Sequence, residues 1–193
     1  EADTFFSETP KRISLKDVQL GVNYVLIVST NAGLWGYNMG DTVMFTSLSP
    51  YRIVVTGRIK HFISAFGEHV IAKEVEEALA QAVSKAGGEV SEFTVAPQVN
   101  PAPGELPYHE WFIEFEKLPE DIETFANTLD QGLQAQNSYY KDLIEGKILQ
   151  RLKITCVPKG TFVEYMKSQG KFGGQNKVQH LSNDRKIADN LKW

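Results

Sequence analysis

Four short stretches hold the side chains best suited to chemistry. In "YNMGD", Asp41 follows a glycine. An ionised carboxylate there can accept from two neighbouring hydroxyls through charge-assisted bonds, or it is a turn aspartate bonded to its own backbone. Tyr37 opens the same stretch and offers a flat ring to stack on a base, or simply packs. In "GRIK", Arg58 presents a fixed fork of donors that suits phosphate and hydroxyl oxygens; the plainer reading is a solvated residue closing a hairpin. Lys60, two residues on, is a tight-turn lysine. In "FGEH", Gly67, Glu68 and His69 form a turn ahead of an acidic helix. An imidazole with an ordinary pKa of about 6.5 can deprotonate an amine, although histidine at such a turn more often caps or packs. In "GGQNKVQH", Lys177 carries an ammonium on a Gly-rich tail, and Lys171, after Gly170, carries another.

Other chemistries find no support. The four histidines, at 61, 69, 109 and 180, lack metal-ligand spacing, and there is no H-E-x-x-H, C-x-x-C or G-x-S-x-G. A metal held by these residues is therefore not expected. The single cysteine, Cys156, alternates with Leu152 and Ile154 and reads as a small core residue; lacking disulfide partners, it fits a reducing compartment, so a cytoplasmic location is expected. "KEVEEAL" reads as the solvated face of a helix, and Glu110, Glu114 and Glu116 as surface residues of a strand, with a ligand contact as the lesser reading. A net charge of −4 over 193 residues argues against nucleic acid as the main partner. No apolar run approaches the roughly 20 residues of a membrane helix, and the start does not resemble a signal peptide.

The elements that must position these residues change character along the chain. "NYVLIVST" (23–30), "TVMFTSL" (42–48) and "YRIVVTG" (51–57) read as strands in a β-rich first part, with "KHFISAF" (60–66) as one more short strand. From Val70 the period becomes helical: Ile71, Val75, Ala78, Leu79 and Ala82 form one stripe, stopped by Gly87 and Gly88. Strands follow at 92–97 and 107–116, the second with Trp111, Ile113 and Phe115 on one face. A helix starting near Pro119 carries Ile122, Phe125, Leu129 and Leu133, and a strand at 149–157 and a short helix at 161–168 complete the pattern. An α-β-β-α-β-α order predicts two helices on one face of a mixed sheet, so the fold class is α+β. The polar, Gly-rich tail reads either as a frayed terminus or as a loop that closes over a phosphate.

The order of "STNAGLWGYNMGD", "GRIK", "GEH" and "GGQNKVQHLSNDR" resembles the adenylate-forming enzymes, the superfamily of acyl-CoA ligases and luciferases. Within it the chain is most similar to the auxin-responsive acyl acid amido synthetases, in particular their bacterial relatives, over nearly its whole length. The resemblance implies an ATP- and Mg-dependent ligase that adenylates a carboxylic acid and passes the acyl group to an amino acid amine. It implies that Asp41 receives the ribose hydroxyls of ATP, that Tyr37 flanks the adenine, and that Arg58 contacts ribose or phosphate. Lys60 would be the hinge of a mobile lid, Gly67, Glu68 and His69 the acceptor loop, and Lys177 the catalytic lysine, with Lys171 competing for that role. Two departures stand out: Phe66 and His69 replace a Gly and an Asn of the usual Gly-Gly-Glu-Asn turn, and His180 stands where an Arg follows the lysine by three residues. Such enzymes are much longer, and no phosphate-gripping loop is found here. The chain is therefore expected to be a C-terminal portion, with residues 1–57 the last β-structure of the large domain and 58–193 the lid. Its partners would be a small carboxylic acid, an amino acid and the missing N-terminal domain, and alone it is expected to be inactive. The alternatives are an acyl-CoA ligase of the same superfamily and a non-catalytic binding domain.

Overall fold

Tyr24, Val43 and Phe45 recur at alternate positions of their strands, and in the computed structural model, which describes residues 1–59, 62–171 and 176–193, they cluster on one face of a small sheet. The sheet is antiparallel in the order β1 (Asn23–Val28), β2 (Tyr37–Leu48), β3 (Tyr51–Arg58). It belongs to the first of two compact units, Glu1–Lys60 and His61–Trp193. β2 starts five residues before the apolar run that announces it, because Tyr37 and Asn38 pair with Val28 and Ile27 of β1. A buried Thr56 hydroxyl, 2.6 Å from Asn23 Oδ1 and 3.0 Å from the Thr42 hydroxyl, ties the three strands across the sheet.

Within the expected strand at 60–66 the described residues form β4 (Phe62–Ile63), which pairs with β5 (Val70–Ile71) in the second unit. Lys60, the expected hinge, lies outside the described residues. Helix α1 (Ala72–Ala86) buries Val75, Ala78, Leu79 and Ala82, as the stripe requires, and ends at Gly87, whose φ of 77° suits a residue without a Cβ. β6 (Glu89–Gln98) and β7 (Tyr108–Lys117) run antiparallel, and β8 (Lys153–Val157) joins β7 in parallel, giving a mixed sheet. Helix α2 (Ile122–Gln136) begins at Ile122 rather than at Pro119, because the Asp121 carboxylate caps it by accepting from Glu123 N–H and the Thr124 hydroxyl. α1 and α2 cover one face of the sheet, where Phe125, Leu129 and Leu133 meet Trp111 and Ile113. They approach closely because Gly132 lies against Ala78; a Cβ at Gly132 would sit 3.4 Å from Ala78 Cα and Cβ.

Three features differ from the sequence reading. Helix α3 (Ser138–Glu145) was not foreseen: it has only one buried residue, Tyr140, so it shows no stripe, and the Asn137 side chain starts it by accepting from Tyr140 N–H. β8 is accordingly shorter than 149–157. Cys156 pairs with Ile113 but is exposed rather than a core residue, because β8 is the edge strand; partial burial still pushes its thiol pKa up. Glu110 and Glu114 are not surface residues either. The second face of the sheet is covered by α4 (Thr161–Ser168) and the tail, whose Phe162, Ala188 and Leu191 pack on Phe112, Ala96 and Val157. Both carboxylates fall beneath that cover: Glu110 takes Arg185 at 2.9 Å and Glu114 lies near Phe162 N–H at 3.3 Å, while Glu116 remains exposed and paired with Lys159.

The described part of the tail is docked, not frayed. Leu181 is fully buried and bridges Val95 in parallel, and Val95 N–H donates to His180 C=O at 2.8 Å. No helix among the described residues is long and apolar enough to cross a membrane. Leu129, at the centre of the first face and fully buried, is expected to cost about 3 kcal/mol when cut to alanine, read as a lower urea midpoint with an unchanged slope.

Candidate functional sites

In the first unit, Asp41 and Arg58 are directly opposed in the β2–β3 ladder, and Arg58 Nε lies 3.2 Å from Asp41 Oδ1. Two residues seventeen positions apart are thus one charged pair at the open end of the hairpin. The local chain explains the placement. Gly40 has a φ of 79°, its N–H donates to Asn38 Oδ1 at 2.8 Å, and its C=O accepts from Ile59 N–H at 2.9 Å. That φ favours glycine, and the two bonds of Gly40 fix the backbone just ahead of Asp41 within β2. The Arg58 side chain is 64% exposed against 26% for Asp41, so the guanidinium can leave the carboxylate at little cost. Tyr37 is half exposed, on the same strand but about 13 Å back at the usual rise per residue.

The Gly67-Glu68-His69 turn belongs to the second unit and connects β4 to β5. Gly67 is exposed with a φ of 93°, and His69 is half-buried with a φ of 47°, in the left-handed region that strains a side chain. Glu68 points the other way. Fully buried, its carboxylate accepts from Phe66 N–H at 2.8 Å and lies 2.8 Å from His109 Nε2, itself buried on β7. Burial disfavours the charged carboxylate, but the bonds from His109 and the backbone outweigh it and hold its pKa below the ordinary value. The His109 ring lies 5.1 Å from that of Tyr140, whose hydroxyl donates to buried Asp130 at 2.7 Å. Burial and Asp130 push the Tyr140 pKa well up. Glu74 is a half-buried carboxylate, accepting from Ile71 N–H and from Asn137; partial burial raises its pKa. The sequence reading singled out neither His109 nor Asp130, since a polar residue among apolar ones on a strand or helix does not reveal its partner, which for His109 is forty-one residues away.

Lys177 and Lys171, the two competing lysines, are both exposed and line one cleft, shared with Glu92, Glu114, Phe162 and Met166. The residues between them, 172–175, lie outside the described residues. Among the described residues no group of three or more His, Cys, Asp or Glu side chains is arranged to hold a metal ion.

Family models decide the relationship. The one described as the GH3 family C-terminal domain matches residues 73–186, and the one described as the GH3 family central domain matches residues 1–58. The chain belongs to the GH3 family. It is 27% identical over 167 residues to indole-3-acetic acid-amido synthetase GH3.3 of Arabidopsis thaliana, covering 83% of this chain and 28% of that protein. It is 27% identical over 192 residues to the probable indole-3-acetic acid-amido synthetase GH3.1 of the same plant, covering 94% and 32%. The chain therefore spans about a third of the length of the curated relatives it matches. Among solved structures, GH3.15 acyl acid amido synthetase superposes with a TM-score of 0.68 at 20% identity, over 93% of this chain and 35% of that one. The shared architecture is that of a GH3 fold, a β-rich segment followed by a small mixed-sheet α/β unit.

The buried Glu68–His109 pair yields a stability prediction. Glu68→Ala leaves His109 buried without its carboxylate, and is expected to cost about 3 kcal/mol near neutral pH. Because the folded pKa of Glu68 is lowered, its contribution is complete above the unfolded value and is lost as pH falls through the folded one. The gap between wild type and Glu68→Ala in urea unfolding should therefore narrow below about pH 4.

Proposed function

We propose that these residues are the C-terminal portion of a bacterial GH3 enzyme, an ATP-dependent ligase that joins a carboxylic acid to an amino acid through an acyl adenylate. The observation that carries the reading is the opposition of Asp41 and Arg58 across one ladder, in a chain whose GH3 relatives are named as amido synthetases. One carboxylate and one guanidinium, side by side and reachable from solvent, suit a ribose and its phosphate together.

In the first half-reaction a carboxylate oxygen of the acid attacks the α-phosphorus of ATP and pyrophosphate leaves with the bonding electron pair. Asp41 accepts from the ribose hydroxyls and Arg58 turns from Asp41 to the ribose or phosphate oxygens, with Tyr37 toward the base. Lys177 places its ammonium where charge moves between the acid and the phosphoryl group. In the second half-reaction the neutral amine of the amino acid attacks the acyl carbon, AMP leaves with the electron pair, and the nitrogen gives up a proton. Gly67 and His69 would be the members of the acceptor loop that face the amine, and the Glu68 bonds to Phe66 N–H and His109 would hold that loop. Lys60 is the proposed hinge. Magnesium would arrive with ATP, since the described residues offer it no ligand cluster. The remaining partner is the missing N-terminal domain, and the lone cysteine supports a cytoplasmic setting.

The test is carboxylate-dependent exchange between ATP and pyrophosphate over aliphatic, aromatic and hydroxy acids, using a longer chain that contains these residues. Lys177→Ala is expected to lower exchange by about 100-fold, the scale of losing a preplaced charge, while Lys171→Ala leaves it nearly unchanged. Asp41→Ala should lose about tenfold or more, mostly as weaker ATP binding. Product assays with an amino acid and with coenzyme A separate amide from thioester formation. A folded, ATP-binding chain without exchange would favour a binding role. The 193 residues alone are expected to show no turnover, and exchange by them would overturn the assignment of the phosphate grip to the missing domain.

A further inference from the structure

His180 lies in the docked tail three residues beyond Lys177. Its ring stacks on Phe93 with centroids 4.2 Å apart. Nε2 is 2.9 Å from the Glu92 carboxylate on β6, and Nδ1 is 3.3 Å from the Glu76 carboxylate on α1. A neutral imidazole donates from one nitrogen only, and an ionised carboxylate only accepts, so both contacts are satisfied together only by the doubly protonated ring. Burial opposes that charge, but Glu92 and then Glu76 outweigh it, and the His180 pKa is raised.

The backbone at the same point joins the tail to the sheet. The Thr94 hydroxyl donates to Gln179 C=O at 2.8 Å. Val95 N–H donates to His180 C=O at 2.8 Å, and Ser182 N–H donates to Val95 C=O at 3.1 Å. Leu181, between them, is fully buried. The charged groups facing the ring are therefore Glu76 from α1 and Glu92 from β6, and Lys177 of the tail lines the cleft that Glu92 also lines.

We propose that His180 is a positioning residue, an imidazolium clamped between Glu76 and Glu92 that latches the lysine-bearing tail onto β6 and so sets where Lys177 can reach. The role given to Lys177 rests on the function proposed above, whereas the latch itself does not. The same segment is tied to β6 by the three hydrogen bonds above and by buried Leu181, and further along Ala188 and Leu191 pack on Ala96. Deprotonation removes one of the two carboxylate bonds and the charge attraction to both.

Amide hydrogen exchange on the 193-residue chain tests the latch directly, with NMR titration of the His180 ring in the same samples. After correction for intrinsic rates, protection at Ser182 relative to core Ile113 is expected to fall about fivefold as pH rises through the His180 titration, the scale of a partly exposed ion pair. In His180→Gln the step should vanish, with Ser182 at the low-protection level throughout. The Glu76→Gln, Glu92→Gln double variant keeps the ring but should return its titration toward the ordinary value and lower Ser182 protection. Protection at Ile113 reports whether each variant is folded. Ser182 protection that is unchanged in His180→Gln, or a pH step that persists in it, overturns the latch. In pyrophosphate exchange by the longer chain, His180→Gln should lower kcat at low pH with KM for ATP unchanged, and the variant's pH profile should lack the His180 limb of the wild type. If Lys177→Ala leaves exchange intact, the lysine drops out of the proposal and hydrogen exchange alone decides the latch.

Discussion

Strand β7 is buried almost continuously from His109 to Phe115, and most of the second unit follows from the need to cover both of its faces. One face takes the stripes of α1 and α2, which come close enough because Ala78 meets Gly132. The other face needs α4 and a tail that is otherwise polar, so Ala188 and Leu191 are drawn in from the far end of the chain. Charged and imidazole side chains on a strand covered in this way lose most of their water and are stabilised by partners. His109 finds Glu68, Glu110 finds Arg185 and Thr155, and Glu114 finds the start of α4.

Those partners bring the cover and the candidate site under a common constraint. Glu68 lies in the turn proposed to face the acceptor, and its bond to His109 seats that turn on β7 rather than leaving it a free loop. The segment carrying Lys177 is held next to β6 by Leu181 and the neighbouring backbone bonds. In the first unit the corresponding device is local: a left-handed Gly40 and one ladder position set Asp41 against Arg58. The proposed nucleotide pair is thus built from a hairpin, the simplest β element.

Much of this was legible in the residues. The stripe from Val75 to Ala82, the alternation of Trp111, Ile113 and Phe115, and the helix over 161–168 have the periods that burial on one face imposes. What stayed hidden depended on a second covering layer. Glu110 and Glu114 read as surface because alternation tells which residues share a face, not whether a distant segment covers it. Cys156 read as core for the converse reason, since alternation does not reveal that β8 is an edge. Helix α3 escaped because an eight-residue helix with one buried side chain has no period to detect. In the candidate site, the motifs pointed to Asp41 and Arg58 separately, and only the register of β2 and β3 reveals them as a pair.

The bridge from Val95 to Leu181 also sets an order of events during biosynthesis. Residue 95 leaves the ribosome long before residue 181, and the contacts made by Leu191 come later still. At typical elongation speeds of about 5–20 residues per second, β6 waits several seconds with its tail-side edge unpaired and one sheet face bare. Through that interval α1 and α2 can already close the opposite face, so the nascent unit is a half-covered sheet. Exposed apolar surface and an open strand edge are what chaperones bind and aggregates recruit. The stretch from Leu181 to Leu191 is the one that ends that exposure.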